Sequence, residues 1–213
     1  MRLSLIGMSG AGKSYWSGKM EGLGYQKFCC DELIAERLGP VLQRKGKATV
    51  DLAEWMGWPD SEGYSEAQAL YLKLEGDVIA LVCDELEKTA EKNTPVVVDT
   101  TGSLIYLEKK LLNRLRAQTL TVHLDLPSEK HEQLFEAYLQ DPKPVVWEGK
   151  YNPREGESPQ NTLSRCYKEL LSFRNERYRA MADCILDYSF HHCSGTCLEE
   201  LLEQIGKRSL GSP

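Results

Sequence analysis

Short apolar runs alternate along the chain with longer segments in which apolar residues recur at helical spacing. The clearest run, residues 95–99 (PVVVD), consists mainly of valine and ends in a carboxylate, which is typical of a buried parallel strand. Over residues 65–91 the apolar positions follow the period of an α-helix, which could break at Gly76. Further strands are predicted over 3–6, 25–30, 120–124 and 184–188.

The segments between these strands predict an alternating α/β arrangement, which is typical of a parallel sheet with helices on both faces. Residues 40–62 are irregular in composition and form a predicted excursion from the domain. Residues 141–160 combine prolines and glycines with polar residues, which predicts a mobile flap without regular structure. The remaining helices are predicted over 14–20, 31–38, 104–116, 128–139, 162–182 and 197–207.

Composition narrows the classes of protein that the chain can represent. Its length of 213 residues suits one compact α/β domain, and we expect residues 1–213 to form it. The net charge of −6 disfavours a surface that coats nucleic acid, and the apolar N-terminal run is too short for a membrane span. Seven cysteines at irregular positions predict reduced thiols. We therefore expect a cytoplasmic monomer or weak homodimer without nucleic-acid or membrane partners.

Residues 7–14 (GMSGAGKS) match a phosphate-binding P-loop and follow the apolar run 3–6, which would be its leading strand. Glycines allow backbone N–H groups to wrap around a phosphate chain at the positive end of the following helix. Lys13 would supply a charge for the β- and γ-phosphates, and the Ser14 hydroxyl would bind Mg²⁺. The residues predicted to bind ATP are Gly7, Ser9, Gly10, Ala11, Gly12, Lys13, Ser14 and Tyr15.

Beyond the P-loop, further landmarks occur in an order that resembles shikimate kinases over nearly the whole chain. They are DELI at 31–34, VVVDTTG at 96–102, KPVV at 143–146, and Arg174, Tyr178 and Asp183 near the end. The resemblance implies a three-layer P-loop kinase fold, α/β in class, with a five-stranded parallel sheet in the order 2-3-1-4-5. It also implies ATP with Mg²⁺ as phosphoryl donor, a small-molecule hydroxyl acceptor beside the P-loop, and a lid at residues 141–160.

The resemblance implies catalytic roles for three further side chains besides Lys13. Asp31 corresponds to the acid that binds the acceptor hydroxyl and can take its proton, although Asp before a helix is also a common N-cap. Lys143 corresponds to a lid arginine that reaches the transferred phosphoryl group, and it could equally be a solvated lysine. Arg174 corresponds to an arginine that contacts the substrate, or it belongs to an exposed basic helix face.

The chain also departs from shikimate kinases at three places. Residues 100–102 (TTG) stand where shikimate kinases have three glycines, which predicts a bulkier pocket floor that carries hydroxyls. Leu72 stands in the place of an arginine that clamps the shikimate carboxylate. Cys29 replaces the first acid of an Asp-x-Asp pair, and a thiol is a poor partner for Mg²⁺. Asp99 is therefore the predicted metal ligand besides Ser14.

The predicted activity is ATP-dependent transfer of a phosphoryl group to a hydroxyl of a small metabolite other than shikimate. The alternatives are a shikimate kinase proper, a nucleoside or nucleotide kinase, and a non-catalytic nucleotide-binding protein. Two patterns stay open at this point. Trp55 and Trp58 could line the acceptor pocket or belong to the core. Residues 191–197 (HHCSGTC) offer nitrogen and sulfur ligands for a metal but have no second half-site.

Overall fold

The computed structural model describes residues 1–42, 46–92 and 94–210 of the chain. A five-stranded sheet lies at its centre, and every pair of neighbouring strands is parallel. The strand order is β2-β3-β1-β4-β5, which confirms the predicted fold class and sheet order. The strands are β1 (Arg2–Ile6), β2 (Gln26–Cys29), β3 (Val96–Asp99), β4 (Leu120–Leu124) and β5 (Cys184–Leu186).

Helices flank the sheet and connect its strands, as the alternating pattern predicted. The predicted helix over 104–116 is divided, because a 3₁₀ turn at Leu104–Tyr106 precedes its α-helical part. The helices are α1 (Lys13–Gly22), α2 (Cys30–Leu38), α3 (Ala48–Met56), α4 (Tyr64–Lys88), α5 (Lys109–Arg116), α6 (His131–Gln140), α7 (Pro159–Met181), α8 (Tyr188–His191) and α9 (Leu198–Leu210).

Two expectations about helices were wrong. Helix α4 runs without interruption through Gly76, because its buried residues continue at helical spacing on both sides of the glycine. The segment 40–62 is not irregular throughout, since α3 occupies Ala48–Met56. Ala48, Leu52 and Met56 are spaced four residues apart and are all buried, so packing of this face stabilises a helix that composition alone did not predict. Residues 43–45 of that segment lie outside the described residues.

Parallel register places the carboxyl ends of the central strands at one edge of the sheet. Asp99 of β3 lies opposite Leu5 of β1 and opposite Cys29 of β2. The loop after β1, the start of α2 after β2, and the loop after β3 therefore begin side by side. This edge is where open α/β sheets bind their ligands.

The core lies between the sheet and its helices, and α4 contributes a fully buried face that includes Val78, Ile79 and Val82. β3 is buried on both sides along its length, as its valine run predicted. Within the described ranges, no helix has both the length and the apolar composition that a membrane crossing requires.

Burial along α4 predicts unequal costs for two truncations. Ile79 is 0% exposed, and Leu81 on the same helix is 37% exposed. Ile79→Ala should lower the free energy of unfolding by about 2–5 kcal/mol, because it removes buried methyl groups and leaves a cavity. Leu81→Ala, the matched control, should cost much less, and urea unfolding of both variants measures the difference. Equal losses would show that α4 does not pack as described.

Candidate active site

A cavity of about 360 Å³ lies at the carboxyl edge of the sheet. It brings together the side chains that the sequence assigned to catalysis, namely Lys13, Asp31, Lys143 and Arg174, although they come from four separate parts of the chain. The residues that line it are Ser9, Gly10, Gly12, Lys13, Ser14, Tyr15, Asp31, Lys47, Thr49, Tyr71, Asp99, Gly102, Lys143, Pro144, Val145, Tyr167, Leu171 and Arg174.

The P-loop connects β1 to α1 and forms one wall of this cavity. Gly10 and Gly12 have φ angles of 85° and 92°, a left-handed conformation that glycine adopts at little cost. Of the residues predicted to bind nucleotide, Gly7 and Ala11 are buried and do not line the cavity, whereas the other six do. Gly7 packs closely, since a Cβ there would come within 3.0 Å of the Leu124 carbonyl oxygen.

Lys13 is the first residue of α1 and is only 8% exposed. Its Nζ donates hydrogen bonds to the carbonyl oxygens of Gly7 at 2.9 Å and Met8 at 3.0 Å, so the ammonium group is held across the loop. Burial lowers the pKa of Lys13, while the nearby carboxylates of Asp99 and Asp31 oppose that effect. The site therefore contains a buried cation between two acids.

Asp99 ends β3 and is 4% exposed. Its Oδ2 accepts a hydrogen bond of 3.0 Å from the Ser17 hydroxyl of α1, which fixes the carboxylate beside the P-loop helix. Ser14, three residues before Ser17, is exposed, and both Ser14 and Asp99 line the cavity. A hydroxyl and a carboxylate are hard oxygen donors, so the residues present fit Mg²⁺. Cys29 does not, because burial raises the pKa of its thiol to about 11.

Asp31 lies in the first turn of α2, but it is not the N-cap of that helix, which is Cys29. Its Oδ1 accepts a hydrogen bond of 3.2 Å from the Tyr71 hydroxyl of α4. Burial raises the pKa of Asp31 to about 6, the charge of Lys13 lowers it, and the charge of Asp99 raises it. A carboxyl group with this pKa is mostly ionised at neutral pH and can still accept a proton readily.

Arg174 of α7 is buried, at 4% exposure, whereas Arg177 and Arg179 on the same helix are exposed. The burial of Arg174 shows that it does not belong to a solvated basic face of α7. Its Nη2 donates to the carbonyl oxygen of Val146 at 2.6 Å, and its guanidinium lies 5.5 Å from the centre of the Tyr106 ring. Within the described part of the chain, its buried Nε has no hydrogen-bond partner.

The segment 141–160 contains no helix or strand before Pro159, where α7 begins. Part of the segment nevertheless packs firmly against the domain. Val145 and Trp147 are buried. The Tyr64 hydroxyl donates to the Val145 carbonyl oxygen at 2.7 Å, and the Trp147 N–H donates to Gln68 at 2.7 Å. These bonds attach the segment to α4.

Lys143 lies at the beginning of this segment and lines the cavity. Its ammonium group forms an ion pair of 2.5 Å with Asp141, and its side chain is 26% exposed. The structure therefore places Lys143 at the cavity rather than wholly in solvent, held by a carboxylate two residues away.

The expected hydroxyls on the pocket floor are not found there. The Thr100 hydroxyl donates to the Leu5 carbonyl oxygen at 2.7 Å, and the Thr101 hydroxyl donates to Glu75. Both threonines are almost fully buried, and only Gly102 of the three residues lines the cavity. The hydroxyls turn inward because buried polar groups must find partners, which the strand β1 and helix α4 supply.

Three other sequence features lie outside the main cavity. Leu72 is half-buried against the core, so the arginine position of shikimate kinases does not face the cavity here. Trp55 and Trp58 both pack against the core, and Trp58 also lines a side cavity of about 240 Å³ together with Lys143. The Trp58 ring contacts that of Tyr138, with centroids 5.2 Å apart.

The cluster at 191–197 does not converge on a metal. His191 is buried, and its Nε2 lies 2.9 Å from the Asp125 carbonyl oxygen, whereas Cys193 and Cys197 are exposed. Within the described ranges, no group of three or more His, Cys, Asp or Glu side chains could hold a metal ion.

Sequence reasoning missed four residues at the site. Lys47 and Thr49 line the cavity from the start of α3, a helix that was not predicted. Tyr71, which lines the cavity, and Glu75, which lies one helical turn farther along α4, were not predicted from the sequence either. Their separation by four residues on a predicted helix was the available signal, because it places both on one face.

The raised pKa of Asp31 predicts how pH changes stability. The carboxyl group has a pKa near 6 in the folded protein and about 4 when unfolded, so the folded state binds more protons between these values. Its contribution to the free energy of unfolding is greatest below pH ~4 and is lost as pH rises through ~6. Asp31→Asn should remove this loss, as measured by urea unfolding across that range. The exposed Asp77→Asn is the control, and parallel curves for wild type and Asp31→Asn would contradict the prediction.

Comparisons with known proteins agree with this architecture. No protein-family model matches the chain, and no curated protein matches it by sequence. Shikimate kinase from Aquifex aeolicus vf5 is similar in structure, with a TM-score of 0.55 and 22% identity over 100% of both chains. Shikimate kinase from Acinetobacter baumannii, solved with shikimate, has a TM-score of 0.58 and 18% identity over 98% of this chain and 92% of that one. Shikimate kinase from Bacteroides thetaiotaomicron has a TM-score of 0.54 and 19% identity over 99% of this chain and 94% of that one. The chain therefore has the P-loop kinase fold of the shikimate kinases.

Proposed function

We propose that this protein is an ATP-dependent phosphotransferase that phosphorylates a hydroxyl group of a small metabolite. The observation that carries the proposal is one cavity in which the P-loop lysine Lys13, the proton acceptor Asp31 and the buried cation Arg174 meet. A nucleotide-binding protein without catalysis would need the P-loop but not the latter two. The similarity of the fold to shikimate kinases supports the same reading.

The donor side of the site is the P-loop. Its backbone N–H groups and the positive end of α1 would bind the phosphates of ATP, and Lys13 would move from the loop carbonyl oxygens to the β- and γ-phosphates. Lys143, which also lines the cavity, would approach the transferred phosphoryl group from the lid. The two cations would offset the negative charge that spreads over the equatorial oxygens in the transition state.

The acceptor side is the space between Asp31 and Arg174. The acceptor hydroxyl oxygen forms a bond to the γ-phosphorus while the bond from that phosphorus to the β–γ bridging oxygen breaks, and ADP leaves. The hydroxyl proton passes to Asp31, whose carboxylate is available for it at neutral pH. Arg174 would bind an anionic or polar group of the acceptor and so align it for in-line attack.

Mg²⁺ would be held by Ser14 and Asp99, directly or through water. When bound, the ion would neutralise part of the negative charge of the phosphate groups. The hydrogen bond from Ser17 to Asp99 keeps the carboxylate oriented toward the helix that carries Ser14. The protein would therefore contribute two hard oxygen donors, of which the Asp99 carboxylate is held in place by Ser17.

Steady-state turnover decides the proposal. ADP release from ATP should increase when the correct acceptor is present in a screen of polyols, sugars, hydroxy acids and nucleosides. Lys13→Ala should lower that turnover at least about a hundredfold, because its charge is used in both ground and transition states. Absence of acceptor-dependent turnover, or an unchanged Lys13→Ala variant, would refute the proposed function.

Shikimate belongs in that screen as an informative acceptor. Leu72 stands in the place of the arginine that clamps the shikimate carboxylate, and it lies outside the cavity. Bound shikimate would therefore lack a charge-assisted contact that is commonly worth about 1.5–3 kcal/mol. Its kcat/KM should therefore be about ten- to a hundredfold below that of the preferred acceptor. Efficient turnover of shikimate would identify the protein as a shikimate kinase.

The metal assignment is tested through Asp99→Asn. The variant should raise the Mg²⁺ concentration needed for half-maximal activity by about tenfold, because an amide oxygen binds the ion less well than a carboxylate. The KM for the acceptor should stay nearly constant. A changed acceptor KM with unaltered Mg²⁺ dependence would assign Asp99 to the acceptor pocket instead.

A further inference from the structure

A fully buried carboxyl group lies behind the cavity, on the face of α4 that faces the loop after β3. Glu75 is 0% exposed, and both of its oxygens are occupied. The Thr101 hydroxyl donates to Oε1, and the Ser103 hydroxyl donates to Oε2 at 2.6 Å. The Ser103 N–H in turn donates to the Thr101 hydroxyl oxygen at 3.2 Å. One side chain therefore ties together both ends of the turn at residues 101–103.

That turn carries Gly102, which lines the cavity and has little room to move. Its carbonyl oxygen accepts a hydrogen bond of 2.6 Å from the Tyr178 hydroxyl. A Cβ on Gly102 would lie 3.4 Å from Nη1 of Arg174 and 3.6 Å from the backbone nitrogen of Ser9. The turn is thus packed between the guanidinium group and the P-loop, and a shift of the turn would displace both.

The same face of α4 reaches Asp31. Tyr71, one helical turn before Glu75, is 1% exposed, and its hydroxyl donates to Asp31. Burial raises the pKa of Tyr71, the charges of Asp31 and Glu75 raise it further, and the neighbouring Ser103 hydroxyl opposes them. The phenol therefore keeps its proton as a donor to Asp31. Ser103, which bonds Glu75, stands beside that phenol.

Burial of the Glu75 carboxyl group is energetically unfavourable, and a merely structural role would not require it. Burial raises its pKa to about 7, and the hydroxyls of Ser103 and Thr101 oppose the rise. Asp31 of α2 raises it as well, and Arg174 of α7 lowers it. Titratable groups with strongly shifted pKa values are concentrated at functional sites. Glu75 is such a group, and it lies behind the cavity near Asp31 and Arg174.

We propose that Glu75 is a positioning residue of the phosphotransfer site, which fixes the Gly102 turn against Arg174 and, through Ser103 and Tyr71, orients Asp31 toward the acceptor. This inference rests on the proposed function, and it adds that Glu75 sets the distance between the proton acceptor Asp31 and the cation Arg174. Glu75 does not line the cavity and touches no substrate in this arrangement.

The first test does not need an acceptor. Wild type, Glu75→Gln and Tyr71→Phe are labelled at the aspartate carboxyl carbon, and Asp31 is titrated by NMR, with Asp31→Asn assigning its signal. Glu75, with a pKa of about 7, is largely protonated where Asp31 titrates, so Glu75→Gln changes little charge there. Loss of the Glu75 contacts should weaken the Tyr71 donor and raise the pKa of Asp31, and Tyr71→Phe should raise it by removing that donor. Glu66→Gln, the same change at an exposed position of α4, should leave it unmoved.

The second test uses the acceptor found by the screen. Glu75→Gln should lower kcat at least about tenfold while the KM for ATP changes little, because misplacement affects the chemical step more than nucleotide binding. Ser103→Ala keeps the carboxyl group, removes one of its bonds, and should lower kcat in the same direction if Glu75→Gln fails to fold.

The outcomes separate the two proposals. Without acceptor-dependent turnover in the wild type, the proposed function fails, and the Asp31 titration still decides whether Glu75 acts on Asp31. A folded Glu75→Gln variant with the wild-type Asp31 titration and the wild-type kcat would overturn the positioning role. A loss of kcat shared equally by Glu66→Gln would overturn it too.

Discussion

Parallel pairing of β1, β2 and β3 is the constraint on which the rest of the site depends. Because Leu5, Cys29 and Asp99 lie at the same level of the sheet, three chain segments leave it side by side. The first becomes the P-loop, the second begins α2 with Asp31, and the third carries the turn at Gly102. Parallel strands need a crossover between them, so these neighbours come from distant parts of the sequence. Their alignment makes a shared cavity possible.

Concentrating charge in that cavity has an energetic cost. Lys13 and Arg174 are nearly buried, and burial raises the pKa values of Asp31 to about 6 and of Glu75 to about 7. Taking such groups out of water is unfavourable unless opposite charges and hydrogen bonds compensate. Here part of the compensation is mutual, since Asp99 and Asp31 oppose the fall in the pKa of Lys13, and Lys13 in turn lowers the pKa of Asp31. The same arrangement leaves groups whose protonation can change near neutral pH, as acid–base chemistry requires.

The segment that carries Lys143 and helix α7 are both linked to this charge cluster. Arg174 donates to the Val146 carbonyl oxygen, and Tyr64 of α4 holds the neighbouring Val145. A guanidinium group that lines the cavity is thus bonded to the segment that carries Lys143. Under the proposed function, an acceptor bound at Arg174 would contact a side chain that also holds this segment.

The sequence determined the α/β class, because valine-rich strands, helical periodicity and the P-loop are local patterns, and the resemblance implied the order of the strands. The P-loop singled out Lys13, the end of the valine run singled out Asp99, and the resemblance supplied Asp31 and Arg174; all four line one cavity. Tertiary structure alone decided the helix α3, the inward turn of the Thr101 hydroxyl and the burial of Glu75. These depend on which distant groups satisfy a buried polar atom or cover an apolar face, and no pattern within one segment records that partner.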